Sequence, residues 1–190
     1  MRRIAERVAL ALRVHKYGEA VLREKARPVE AVDDALRRLA DEMIEVMHSA
    51  RGVGLAAEQI GRRESLCVID IPEGCEESDD ELFNAPIRMP LKLFNPKIVA
   101  QEGTQRGKEG CLSFPEVGGT IVRAAQVTCR YDDENGIPQV VTARGFLARA
   151  IQHEIDHLNG ILYIDHMSAV ERLSYAARLK KLAKANGGVR

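Results

Sequence analysis

The segment Phe146-Leu147-Ala148-Arg149-Ala150-Ile151-Gln152-His153-Glu154-Ile155-Asp156-His157-Leu158-Asn159-Gly160 carries a structural pattern and a chemical one together. Leu147, Ala150, Ile151, Glu154 and Leu158 follow the i, i+3, i+4, i+7, i+11 spacing of one helical face, and Gly160 suits a left-handed stop. The spacing predicts a helix from about Phe146 to Asn159. Glu154 lies inside its apolar stripe.

Outward from this helix the chain reads as short strands with a helix toward each end. Between Asp33 and Ser49, the residues Leu36, Leu39, Ala40, Met43, Ile44 and Met47 form a second helical stripe, with Gly52 as its left-handed cap. Leu66 to Ile71, bounded by Pro72, is a short apolar run, and Leu91 to Ala100 reads as one or two strands interrupted at Pro96. The stretch between them, Glu73 to Pro90, holds Glu76, Glu77, Asp79, Asp80 and Glu81 with prolines at Pro86 and Pro90, and reads as a solvated surface loop. Val127, Cys129 and Tyr131 alternate with polar residues, Asn135-Gly136 signals a tight turn, and Val140 to Ala143 supplies the returning strand of a hairpin. A last helix is expected at about 168–186, opened by a capping box of Ser168 and Glu171. Strands and helices do not alternate as βαβ units. The expected fold class is therefore α+β: mostly antiparallel strands packed around a central HExxH helix, with an N-terminal and a C-terminal helix, in a single domain over residues 1–190.

Composition narrows the function. The chain has 190 residues, enough to bury a core without disulfides, and its 28 basic and 28 acidic side chains leave no net field to draw it onto nucleic acid or an anionic membrane. Cys67, Cys75, Cys111 and Cys129 form no CxxC pair and show no disulfide spacing, which fits a reducing compartment. No apolar run is long enough to span a bilayer, and Met1 to Val14 is interrupted by Arg2, Arg3, Glu6, Arg7 and Arg13. The expectation is a cytoplasmic protein with no membrane association.

His153 and His157 stand four apart, so their imidazoles share one helix face and can grip a single metal ion beside Glu154. A divalent metal makes hydroxide available from water near neutrality, and a neighbouring carboxylate can carry the proton. That chemistry is hydrolysis. The bland alternative makes both histidines ordinary helix residues and Glu154 a surface carboxylate. A third ligand separates the families. The metzincin pattern HExxHxxGxxH finds its glycine at Gly160 but meets Tyr163 where the third histidine belongs. Asp165, His166 and Glu171 downstream have no familiar ligand spacing. Upstream, Glu109-Gly110-Cys111-Leu112-Ser113 offers a cysteine in a glycine-containing turn, where the alternative is a small buried apolar residue.

Three segments in this order, Gly52-Val53-Gly54-Leu55-Ala56-Ala57-Glu58-Gln59, Glu109 to Ser113 and Gln152 to His157, resemble the signatures of the peptide deformylase family, and the similarity runs from about Arg13 to the C-terminal helix. The resemblance implies a metal-dependent hydrolase that removes the formyl group from the N-terminal formyl-methionine of newly made polypeptides. It makes Cys111, His153 and His157 the metal ligands and leaves a fourth coordination position free of protein. The metal it implies is one divalent ion, Fe(II) natively, with zinc, nickel or cobalt in purified protein. It makes Glu154 the general base and acid, with the Gln59 amide and the Leu112 N–H as oxyanion donors. N-formylmethionyl peptides and nascent chains would pair as an added strand at Gly54 and Gly110. Val53, Phe146, Leu147 and Ala150 would wall the methionine pocket. Glu109 and Arg123 would pair to brace the cysteine loop. A transient ribosome contact would come through the C-terminal helix, with no specific nucleic-acid sequence read. The chain departs from the family at Glu58, where proline, threonine or a small residue is usual, and at Gly118-Gly119, where relatives carry a larger groove-lining side chain.

Overall fold

The computed structural model describes residues 12–75 and 78–187, so the arginine-rich start up to residue 11, and Glu76 and Glu77 of the acidic stretch, lie outside it. Five strands, β1 (Gly54–Ala56), β2 (Leu66–Ile69), β3 (Leu91–Glu102), β6 (Gln126–Asp132) and β7 (Pro138–Arg144), form one fully antiparallel sheet in the order β1-β2-β3-β6-β7. A second sheet pairs β4 (Gln105–Gly110) with β5 (Gly118–Arg123). The helices are α1 (Asp34–Ser49), α2 (Ser78–Asn84), α3 (Gly145–Leu158), α4 (Ala169–Ser174) and α5 (Ala176–Ala185).

The strand β2 organises the core because all four of its side chains are buried. Leu66 and Val68 pack with Leu39, Ala40, Met43 and Met47 of α1. Cys67 and Ile69 turn the other way, toward Ile151, Ile155 and Leu158 of α3. Each such aliphatic side chain contributes about 1.5–3 kcal/mol when sealed from water, so this central wall holds both helices more firmly than their propensities do. A third cluster gathers Leu22, Phe114, Ile121, Tyr163 and Leu179 beneath the cysteine turn.

The architecture is the expected α+β arrangement around the HExxH helix, with local corrections. The helix α1 is capped by Asp33, whose side chain accepts from Leu36 N–H (2.8 Å), but the left-handed residue after it is Arg51 (φ 58°) rather than Gly52. Gly52 is small for another reason: a Cβ there would meet Leu112 Cδ1 at 2.7 Å. Pro96 does not end β3, which runs through it with a register shift between Phe94 and Lys97. The acidic stretch contains α2, because Asp79, Asp80 and Glu81 are favoured at the positive end of a helix. The C-terminal helix is two helices broken at Tyr175. Ser168 caps the first, accepting from Glu171 N–H (3.2 Å), while the Glu171 carboxylate accepts from Thr120 N–H (2.7 Å) and so does not close a capping box. The break lets Tyr175, Leu179 and Leu182 join the third cluster, whereas Val170 and Leu173 stay exposed.

Candidate active site

The helix α3 carries His153, Glu154 and His157, all buried, against β1 and the turn that follows β4. Cys111 stands in that turn, closed by Phe114 N–H donating to Cys111 O (2.8 Å). One ligand atom each from Cys111, His153 and His157 lies within 4.8 Å of the others, and Cys111 Sγ is 3.2 Å from His157 Nε2. A thiolate and two imidazoles converging at this range suit a divalent ion that accepts nitrogen and sulfur ligands. The residues present therefore fit a metal.

The orientation of His153 is fixed from behind. Its Nδ1 is 2.9 Å from Glu109 Oε2, which leaves Nε2 for the donor cluster. Glu109 is buried, and it also accepts from Arg123 Nε (2.9 Å) and Nη2 (3.0 Å) and from Arg149 Nη1 (2.8 Å). Burial works against the Glu109 charge, yet His153 and Arg123 outweigh it and hold the carboxyl well below its usual range. Arg123 in turn reaches Asp156, which His166 Nε2 meets at 2.8 Å. The brace expected from Glu109 and Arg123 is thus an interior network. Arg149 was not foreseen, although a lone arginine between Ala148 and Ala150 in a buried helix is a visible sign.

Glu154 is built differently. Its Oε1 lies so close to Gly54 that a Cβ there would come within 2.3 Å, while Oε2 is buried with no hydrogen-bond partner. Burial pushes this carboxyl up to about 7. A carboxyl that titrates near neutrality can both accept and return a proton. Gln59 approaches from the 3₁₀ turn Ala57–Ile60. Ala56 N–H donates to its Oε1 (2.9 Å), so its Nε2 is the end near Cys111 Sγ (3.3 Å) and Ser113 Oγ (3.1 Å).

A sequence profile described as polypeptide deformylase matches residues 11–173. This chain belongs to that family. Among curated relatives, a peptide deformylase of Opitutus terrae is 43% identical, covering 92% of this chain and 94% of that protein. One from Helicobacter hepaticus is 41% identical, covering 94% and 96%. Among solved structures, a peptide deformylase of Synechococcus elongatus in complex with actinonin matches with TM-score 0.75 at 40% identity, covering 94% of this chain and 89% of that one. One from Ehrlichia chaffeensis matches with TM-score 0.80 at 35% identity, covering 92% and 98%.

In this deformylase-family chain the Cys111, His153 and His157 group opens into a cleft of about 520 Å³. Val53, Gly54, Gln59, Gly110 and Leu112 line it, and His153 and Glu154 lie at its wall. A Cβ at Gly110 would meet nothing within 4 Å, so the backbone is open to a ligand there. Phe146, Leu147 and Ala150, expected as pocket walls, do not line it. Leu147 and Ala150 are packed beneath the five-stranded sheet, and Phe146 lines a separate cleft with Arg106, Arg144 and Arg149. Leu147 and Ala150 belong to the apolar stripe of α3 that the sheet buries. At Gly119 the space of a side chain is filled by Met167, whose Cε would sit 2.4 Å from a Cβ.

Proposed function

We propose that this chain hydrolyses the formyl amide of N-formylmethionyl peptides and nascent chains, with Cys111, His153 and His157 holding one divalent metal and Glu154 moving the proton. The reading is supported above all by one observation: three nitrogen and sulfur donors converge beside a buried carboxylate with a free oxygen. When bound, the metal supplies Lewis acidity and makes water more acidic. Glu154 takes a proton from the attacking water and passes it to the methionine amine as the C–N bond breaks, yielding formate and a free amino terminus. Gln59 Nε2 and the Leu112 N–H stabilise the negative oxygen that develops on the formyl carbon. The substrate backbone lies along Gly54 and Gly110, with Val53 against the methionine side chain.

The native metal in this reading is Fe(II). One thiolate and two neutral imidazoles leave a net charge of about +1 on the site, and a thiolate beside ferrous iron is open to oxidation. Zinc, nickel or cobalt satisfy the same donors in purified protein. The compartment is the cytoplasm, where nascent chains are met. The exposed Lys180, Lys181 and Lys184 of α5 offer a basic face to the ribosome, whereas Arg178 is engaged with Glu116 O (2.6 Å).

Protein purified without oxygen and assayed on formyl-Met-Ala-Ser should release formate, leave both peptide bonds intact and ignore the unformylated peptide. Cleavage of internal peptide bonds would instead make it a metallopeptidase. Reversing the charge of Lys180, Lys181 and Lys184 should weaken ribosome co-sedimentation at low salt, and unchanged sedimentation removes that contact.

A further inference from the structure

Three consecutive residues near the start of the described chain each bond to a carbonyl of the oxyanion machinery. His15 N–H donates to Gln59 O (2.6 Å) and Tyr17 N–H to Ser113 O (2.9 Å). Between them the Lys16 ammonium donates to Leu112 O (2.7 Å). This strap is held on both sides. Glu19 accepts from Arg13 Nη1 (3.0 Å) and Lys16 N–H (2.8 Å) and sits 2.6 Å from His15 Nδ1. Gly18 (φ 109°) lies against α5, where a Cβ would come within 2.6 Å of Ala183 O. The Tyr17 ring stacks on Phe114 at 4.8 Å.

Two of the three bonds are made by backbone and would survive any change of side chain. Lys16 makes the third with a half-buried ammonium that also lines the cleft. Attachment of the strap does not require a lysine. What the ammonium adds is a charge-assisted grip on the peptide group between Leu112 and Ser113. One side of that group is the residue whose N–H serves as oxyanion donor, and the other is the residue whose Oγ is 3.1 Å from Gln59 Nε2.

We propose that Lys16 is a positioning residue for both oxyanion donors, holding Leu112 O so that the Leu112 N–H and the Ser113-anchored Gln59 amide stay aimed into the cleft. The proposal rests on the assignment of those two donors in the proposed function. Outright removal of one oxyanion donor costs about 10²–10³ in kcat, so loosening its support should cost about tenfold.

The test compares metal-loaded wild-type enzyme with Lys16→Met, which keeps the aliphatic stem, Lys16→Gln, which keeps a neutral donor, and Lys16→Arg, which keeps a cation. With formyl-Met-Ala-Ser, Lys16→Met should lose about tenfold in kcat, with KM within about twofold and with metal content and melting temperature unchanged. Lys16→Gln should fall between, and Lys16→Arg should recover most of kcat. An unchanged kcat overturns the proposal. A loss confined to KM makes Lys16 a substrate contact, a loss that follows metal content makes it a partner of the Cys111 thiolate, and a lowered melting temperature with normal kcat makes it structural; each overturns the positioning role. A wild-type enzyme that releases no formate overturns the functional reading itself, and the positioning role with it.

Discussion

Glu109 and Glu58 are both sealed within this protein and close to the same site, and their surroundings drive them in opposite directions. Glu109 meets His153, Arg123 and Arg149, and the attraction outweighs the cost of burial. Glu58, fully buried in the turn that carries Gln59, has no hydrogen-bond partner on either oxygen, and burial raises its carboxyl to about 8. Glu154 stands between them, one oxygen pressed on Gly54 and the other free. Burial alone does not decide a carboxyl's charge; partners do. In the proposed mechanism an ionised Glu109 orients His153, and Glu154, pushed up to about 7, carries the proton.

The largest effect is expected at Glu154. Glu154→Gln should retain metal and fold but lose about 10³–10⁴ in kcat, and an active variant removes the proton carrier from the mechanism. Next is Glu109→Ala, which takes away the carboxylate that Arg149 pairs with and leaves Arg123 with Asp156 alone. A loss of about 3–5 kcal/mol in urea unfolding is expected, with weaker metal retention as His153 loses its orienting partner. A variant as stable as the wild type would show that the network does not need its anion. The smallest effect belongs to Glu58→Gln and depends on pH. Folded Glu58 keeps its proton up to about 8, whereas the unfolded chain releases it near the ordinary value of 4.5. Stability from this group is therefore complete below 4.5 and is lost as pH rises through 8. Glu58→Gln should match the wild type near pH 4.5 and exceed it by about 4 kcal/mol at pH 8, read from urea midpoints; a constant difference across that range sinks the idea.

Much of this arrangement is legible in the amino-acid sequence. The HExxH helix announces itself because period and chemistry coincide in one segment, and β2 reads as an unbroken apolar run because helices cover both of its faces. The sheet of β4 and β5 was hidden. Gln105 to Gly110 has no alternating apolar face and brings no aliphatic side chain of its own; the ladder to β5 and the Glu109–Arg123 pair hold it in place. The helix α2 hid inside an acidic stretch, where charge suggested only solvation; Asn84 ties it to the backbone of Arg144, accepting from its N–H (3.0 Å) and donating to its O (3.1 Å). Within the site, the histidine spacing spoke for itself, whereas Cys111 needed family resemblance because no spacing rule links it to the helix. Lys16 left no trace, since its role depends on a bond across 96 residues.

The double burial of β2 has a consequence for folding. The helix that brings His153 and His157 and the helix that leads into Gly52–Gly54 share this strand as a common wall, so the two halves of the cleft cannot separate without exposing it. Local breathing at the mouth leaves the wall intact, and the amide hydrogens of Leu66 to Ile69 should exchange with solvent only through unfolding of the whole chain.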